Sequence, residues 1–166
     1  MKIITTEEHF NIPSVEKELA AYNATHPHQG GDPEIGKALG GGLAQYNATD
    51  EQFEDMDARL KFMDAHGITM QVLSAEGFEG MTPEVALPLA KQANDETAKL
   101  IAQHPDRYSA FASIATQDPE GSAEELTRAV NELGLKGTMI HGRTLNKFLD
   151  DPFFEPIFAA AEKLDV

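Results

Sequence analysis

Glutamate and histidine stand two residues apart at Glu7 and His9, within the hexapeptide Thr5-Thr6-Glu7-Glu8-His9-Phe10 that follows the apolar pair Ile3-Ile4. Side chains alternate along a strand, so Glu7 and His9 are expected to share one side. A carboxylate and an imidazole placed this way at a strand end make a half-site for a divalent metal. The same triplet also fits an exposed polar strand edge, and its spacing alone leaves both readings open.

The chemistry available elsewhere is bounded by composition. The 166 residues contain no cysteine, which excludes disulfides and thiolates and leaves His, Asp and Glu to hold any metal. The formal net charge is −15, with 28 acidic against 13 basic residues, and such a balance disfavours nucleic acid and anionic membranes as partners. At 41% hydrophobic and 25% charged residues the chain reads as an ordinary globular domain with a sizeable core, one domain over 1–166. There is no long apolar run of the kind that spans a membrane, and no basic segment followed by an apolar one at the N-terminus. A cytoplasmic enzyme is the expectation, with a homo-oligomer as its assembly.

The elements that must position Glu7 and His9 follow from local signals. Lys2–Thr6 reads as a buried strand. Residues 11–50 are rich in Gly, Pro, Asn and Thr and read as a long loop excursion, either a lid or a mobile insertion, with one short helix near Ser14–Tyr22. Thr49 or Asp50 is a candidate cap for a helix with Phe53, Met56, Leu60 and Met63 at helical spacing, ended by Gly67. Ile68–Ser74 reads as a second strand. Thr82-Pro83 opens a helix that runs to about His104, where Pro105 stops it. Tyr108–Ala115 is a third strand, and Asp118-Pro119 opens a helix ending at Leu133-Gly134. Lys136–Ile140 is a fourth strand, followed by a polar loop over His141–Asp150 and a helix from Asp151-Pro152 to the C-terminus.

Strand and helix alternate four times, which predicts a parallel sheet with helical crossovers. The glycine fingerprint of a dinucleotide-binding open sheet is missing after the first strand, which favours a (β/α)8 TIM barrel. Lys163-Leu164-Asp165-Val166 reads as the start of a helix-to-strand junction. Four βα units would leave exposed edges and an uncovered interior. The expectation is therefore the N-terminal half of a barrel in a longer polypeptide, with a small complete open-sheet protein as the alternative.

In parallel α/β folds the site forms at the C-terminal strand ends. Those ends carry Glu7, Glu8, His9 and Phe10, then Ser74 and Glu76, Thr116 and Gln117, and finally His141, Arg143 and Thr144. Of the 6 histidines, His9 and His141 would face one mouth. His26 and His28 lie in the excursion and read as solvated, while His66 and His104 close helices, where an imidazolium is favoured. Arg59 reads as an ion-pair residue. No G-x-S-x-G, H-E-x-x-H or P-loop competes, so metal-assisted chemistry remains.

The residues TEEHF at 6–10, RLKFMDAHGI at 59–68, QVLS at 71–74, AND at 93–95, HPDRYSAFASIATQDP at 104–119, EELTRAVNELGLKG at 124–137 and LDDPFFEPIFAAAEKLDV at 149–166 resemble the amidohydrolase-related (amidohydrolase family 2) proteins. In motif they are closest to the aromatic acid decarboxylases of γ-resorcylate type. The resemblance implies the metal-dependent hydrolase type of TIM barrel, with Glu7 and His9 as ligands of one divalent ion, Zn2+ or Mn2+, and Glu8 pointing elsewhere. Phe10, His141 and Arg143 would meet a small-molecule carboxylic acid substrate; His141 stands where the decarboxylases often carry Asn. The family's remaining His ligands and its catalytic Asp are expected beyond Val166. The implied activity is a carboxy-lyase for a hydroxylated aromatic or related unsaturated acid. A hydrolase opening a lactone or amide on the same fold, and an inactive truncated half barrel, are the alternatives.

Overall fold

The structure, a computed structural model, describes residues 1–26, 55–75 and 77–166. Strands β1 (Ile4–His9), β2 (Met70–Ser74) and β3 (Tyr108–Ala110) form a parallel sheet in the order β1-β2-β3. Parallel neighbours need crossovers, which here carry α1 (Pro13–Thr25) and α2 (Met56–His66) before β2 and α3 (Pro83–Ile101) before β3. Helix α4 (Pro119–Asn131) follows β3, and α5 (Glu155–Leu164) packs against it behind a 3-10 turn at Pro152–Phe154.

Local chemistry explains most element boundaries. Asp118 accepts from the Gly121 amide at 3.1 Å and Asp151 from the Phe153 amide at 2.9 Å, each just before a proline whose fixed φ suits a first helical turn. The cap of α2 is Asp55, which accepts from the Asp57 and Ala58 amides. That corrects the expectation of Thr49 or Asp50, which lie outside the described residues. Gly67 closes α2 at φ +68°, a left-handed conformation that glycine adopts without penalty.

Two expectations past β3 need correction. The strand expected over Lys136–Ile140 is reduced to one parallel bridge, Ala112 to Thr138, supported by the Gly137 carbonyl accepting from the Ala112 amide. Gly137 at φ +118° is far from extended geometry, so a regular ladder stops there. The polar loop over His141–Asp150 contains a hairpin, β4 (Arg143–Thr144) against β5 (Lys147–Phe148), turned by Leu145 and Asn146 with positive φ.

The sheet has two unlike faces. Gln71, Leu73, Tyr108 and Ala110 are buried, and helix α2 lies over them: the Tyr108 hydroxyl donates to the Met56 carbonyl at 3.1 Å. On the other face Met70, Val72 and Ser109 are half-buried and Ile4 is 47% exposed. The core sits on the covered side, with Met63, Ala86, Ala90, Ala93, Leu126 and Ala129 fully buried. Small residues at 86, 90 and 93 of α3 let that helix approach its neighbours closely.

Candidate functional site

The site begins at a break in β1. Ile4 and Thr5 pair with Met70 and Gln71, but Glu8 and His9 pair with Leu73 and Ser74. Thr6 and Glu7 therefore stand opposite the single residue Val72, which is a β-bulge. Glu7 takes φ +61°, a conformation that costs a non-glycine residue about 1–2 kcal/mol. A slip of one residue exchanges the faces of everything beyond it. Unbroken alternation from Thr5 would have sent Glu7 and His9 to the helix-covered face. With the bulge, Glu8 returns to the covered face and His9 falls on the open face beside Ser74.

Glu8 then meets Arg59 of α2. The guanidinium Nη1 lies 3.5 Å from Glu8 Oε2 and 3.2 Å from Gln71 Oε1, and Nη2 donates to the main-chain carbonyl of His9. Arg59 is 7% exposed. Burial lowers its pKa and the Glu8 carboxylate partly offsets this; an arginine starting so high stays charged. The ion-pair role expected for Arg59 is thus present. Glu7 and His9 are exposed, and among the described residues neither side chain has a hydrogen-bond partner.

At the other strand ends, His141 Nδ1 lies 2.7 Å from Glu79 Oε1. Both line a cleft with Ser74, Ser113, Thr116 and Met139 that encloses about 20 Å³, of the order of one water molecule. Glu79 was not among the residues singled out from sequence. It lies in a Gly-flanked segment 62 positions before His141, and no local pattern links the two. Glu76 lies outside the described residues.

Several expected contacts are committed elsewhere. Phe10 is corrected from a substrate contact to a core residue: it is 2% exposed and belongs to the apolar cluster with Ile12 and Val15. Arg143 is exposed but turned onto its own hairpin, donating to Asn146 Oδ1 at 2.6 Å with its guanidinium over the Phe148 ring. Thr116 shares a buried 2.7 Å hydrogen bond with Thr144, and Gln117 donates to the Phe78 and Met81 carbonyls, so both brace loops. His66 bonds the Phe62 carbonyl, His104 stands edge-on to Tyr108, and His26 stacks on Tyr22.

As a donor set, one carboxylate and one imidazole suit a borderline divalent ion held by oxygen and nitrogen. They are a partial set: among the described residues no three His, Asp or Glu converge. Also among the described residues, no helix is long and apolar enough to cross a membrane.

The model of the amidohydrolase family matches residues 9–166, which include His9, Arg59, Glu79 and His141. The chain belongs to the amidohydrolase family. Among amidohydrolase relatives, the gamma-resorcylate decarboxylase of Rhizobium sp. (strain MTP-10005) is 36% identical over 172 residues, covering 98% of this chain and 47% of that protein. A 5-carboxyvanillate decarboxylase from Novosphingobium aromaticivorans, solved with manganese and a substituted nitrobenzoic acid, superposes with TM-score 0.80 at 32% identity, over 99% of this chain and 49% of that one. The 2,6-dihydroxybenzoate decarboxylase from Rhizobium gives TM-score 0.74 at 32% identity, over 100% and 48%. This amidohydrolase chain spans about half the length of the relatives it matches, 47% of the first and 48% and 49% of the two structures.

Proposed function

We propose that this chain is the N-terminal half, four βα units, of a (β/α)8 barrel whose whole form is a metal-dependent carboxy-lyase. Its substrate is a hydroxylated aromatic or related unsaturated carboxylic acid. The observation that carries the reading is the 36% identity to a gamma-resorcylate decarboxylase spread over 98% of the chain. The parallel strand–helix order and the E-x-H triplet at the end of β1 support it.

In this reading Glu7 and His9 are two of the ligands of one Mn2+ or Zn2+ ion. The ion, when bound, supplies positive charge that polarises and orients the oxygens of a carboxylate. The open face of the sheet, where His9 lies beside Ser74, is the interior wall of the barrel. His141 stands at the same mouth with Nδ1 engaged by Glu79, which leaves Nε2 as the ring nitrogen that accepts from a substrate hydroxyl. Arg143 adds positive charge at the rim and steers an anionic acid towards it. The remaining ligands and the acid that protonates the ring carbon belong to the other half. The same reading makes the whole protein a cytoplasmic homo-oligomer.

The test is carbon dioxide release from a panel of hydroxybenzoates by the whole protein in Mn2+, with lactone opening measured in parallel. Release that Glu7→Gln and His9→Ala both abolish is the expected result. Lactone hydrolysis without carbon dioxide release would overturn the carboxy-lyase in favour of a hydrolase on this fold. Neither reaction on any substrate would leave the inactive half barrel.

A further inference from the structure

We infer that Arg59 is a positioning residue for the Glu7–His9 pair, fixing from the helix layer the bulge that turns His9 onto the open face. The inference rests on reading Glu7 and His9 as metal ligands. Its starting point is that the bulge, and not simple alternation, decides where His9 stands. In an unbulged strand the pairing Thr5 to Gln71 would continue as Glu7 to Leu73, on the side buried under α2.

Such a bulge does not persist unaided. Glu7 holds φ +61° without being glycine, and a strained backbone is retained only where its surroundings over-determine it. Arg59 supplies that constraint just past the bulge. Its two terminal nitrogens engage the His9 carbonyl, the Glu8 carboxylate and the Gln71 amide oxygen, acceptors on two neighbouring strands. A planar guanidinium presents donors in a fixed fork, so it sets distance and direction together. Arg59 is anchored by α2, whose Met63 is fully buried one turn further on. Return to an unbulged register would swing Glu8 to the open face and leave Arg59 buried without that carboxylate. Bulge and guanidinium therefore hold each other. A pair of ligands held on a fixed backbone binds an ion without first being ordered, and that is where the affinity is gained.

The experiment is a Zn2+ titration of the ¹⁵N-labelled whole protein, reading the dissociation constant from the amide resonances of Glu7 to Phe10. Arg59→Met keeps much of the stem and removes the donors. It is expected to weaken Zn2+ binding about 10- to 100-fold, the range for losing a partner of a metal ligand. Arg59→Lys is expected between the two, because an ammonium keeps the charge but not the fork. In the unmodified chain the Arg59 guanidinium N–H resonances are expected to shift as Zn2+ binds. Arg59→Met that keeps the native circular dichroism spectrum and the original Zn2+ affinity overturns the inference. Should Arg59→Met fail to fold, Arg59→Lys with unchanged affinity, or guanidinium resonances indifferent to Zn2+, overturns it equally. His9→Ala separates the two levels. If His9→Ala binds Zn2+ as tightly as the unmodified chain, the ligand reading falls; if only Arg59→Met does, the ligand reading stands and the clamp alone falls.

Discussion

Glu79 Oε1 accepts from His141 Nδ1 at 2.7 Å, joining the segment after β2 to the one that leads into the β4–β5 hairpin. The contact explains an otherwise unremarked glycine. A Cβ built on Gly77 would come within 2.2 Å of Glu79 Oε2, so the carboxylate occupies the space that any other residue at 77 would fill. Accepting from Nδ1–H also selects the tautomer of the neutral ring, leaving Nε2 as an acceptor.

Gly77→Ala is therefore expected to act on His141 without touching it. The obstructed atoms are the far end of a flexible side chain, so the fold should survive while the Glu79 carboxylate moves off the imidazole. The ¹⁵N spectrum of the His141 ring checks this: the Nδ1–H form should dominate in the unmodified chain and lose ground in both Gly77→Ala and Glu79→Ala. A Gly77→Ala spectrum identical to the unmodified one would show that the pair does not depend on that space.

Asn94 is expected to be among the costliest single polar losses. It is 1% exposed, and its amide donates to the Ser113 carbonyl at 2.9 Å and to Glu125 Oε1 at 2.7 Å while accepting from the Ser113 amide at 2.7 Å. Ser113 lines the cleft beside His141, so this network also fixes one wall of it. Asn94→Ala leaves two main-chain groups and one oxygen of a buried carboxylate short of partners. The expected destabilisation is about 2–4 kcal/mol, read as a lower urea midpoint with an unchanged slope.

How far the molecule was legible in its sequence depended on how local each cause was. The helix at Pro119 and the 3-10 turn at Pro152 followed from a capping aspartate and a proline, chemistry confined to a few neighbours. At Pro83 the proline acts without a side-chain cap, because Thr82 makes no capping hydrogen bond. The cap of α2 was misplaced because several acidic and hydroxyl residues compete upstream of Met56, and only the geometry at Asp55 selects one. The strand over Lys136–Ile140 carried apolar residues, but the backbone of Gly137 interrupts it. The bulge in β1 had no local sign: it is imposed by the register of β2 and by Arg59, about 50 residues away. Phe10 beside an E-x-H triplet reads as a substrate contact, and only the tertiary packing shows it in the apolar cluster with Ile12 and Val15. Glu79 escaped notice because two loops, not one element, bring it to His141.

Gly67→Ala is expected to destabilise the chain although nothing lies within 4 Å of the added Cβ. The cost is conformational: φ is +68° at the end of α2, and a left-handed alanine loses about 1–2 kcal/mol. Gly67→Asn should recover part of that, since asparagine tolerates this region. Equal stability of the alanine and glycine forms in thermal unfolding would mean that the end of α2 rearranges.

Tyr108 is expected to give the fold an alkaline limit. It is 2% exposed, and burial pushes its phenol from 10.0 up to about 12, with Arg59 and Arg107 partly offsetting that rise. Between those values the folded chain keeps the Tyr108 proton and the unfolded chain releases it. Rising pH then favours the unfolded state, because the folded state binds more protons. The contribution is fully present below pH 10 and is lost progressively up to about pH 12, amounting to about 2–3 kcal/mol for a shift of that size at 1.36 kcal/mol per unit. Tyr108→Phe should lower stability at neutral pH by about 0.5–1.5 kcal/mol, through loss of the hydrogen bond to the Met56 carbonyl. The same variant should flatten the fall between pH 10 and pH 12. Urea unfolding of both forms across that range isolates the term, since every other titrating group is common to the two. Parallel pH profiles would show that the phenol reaches solvent before the chain unfolds.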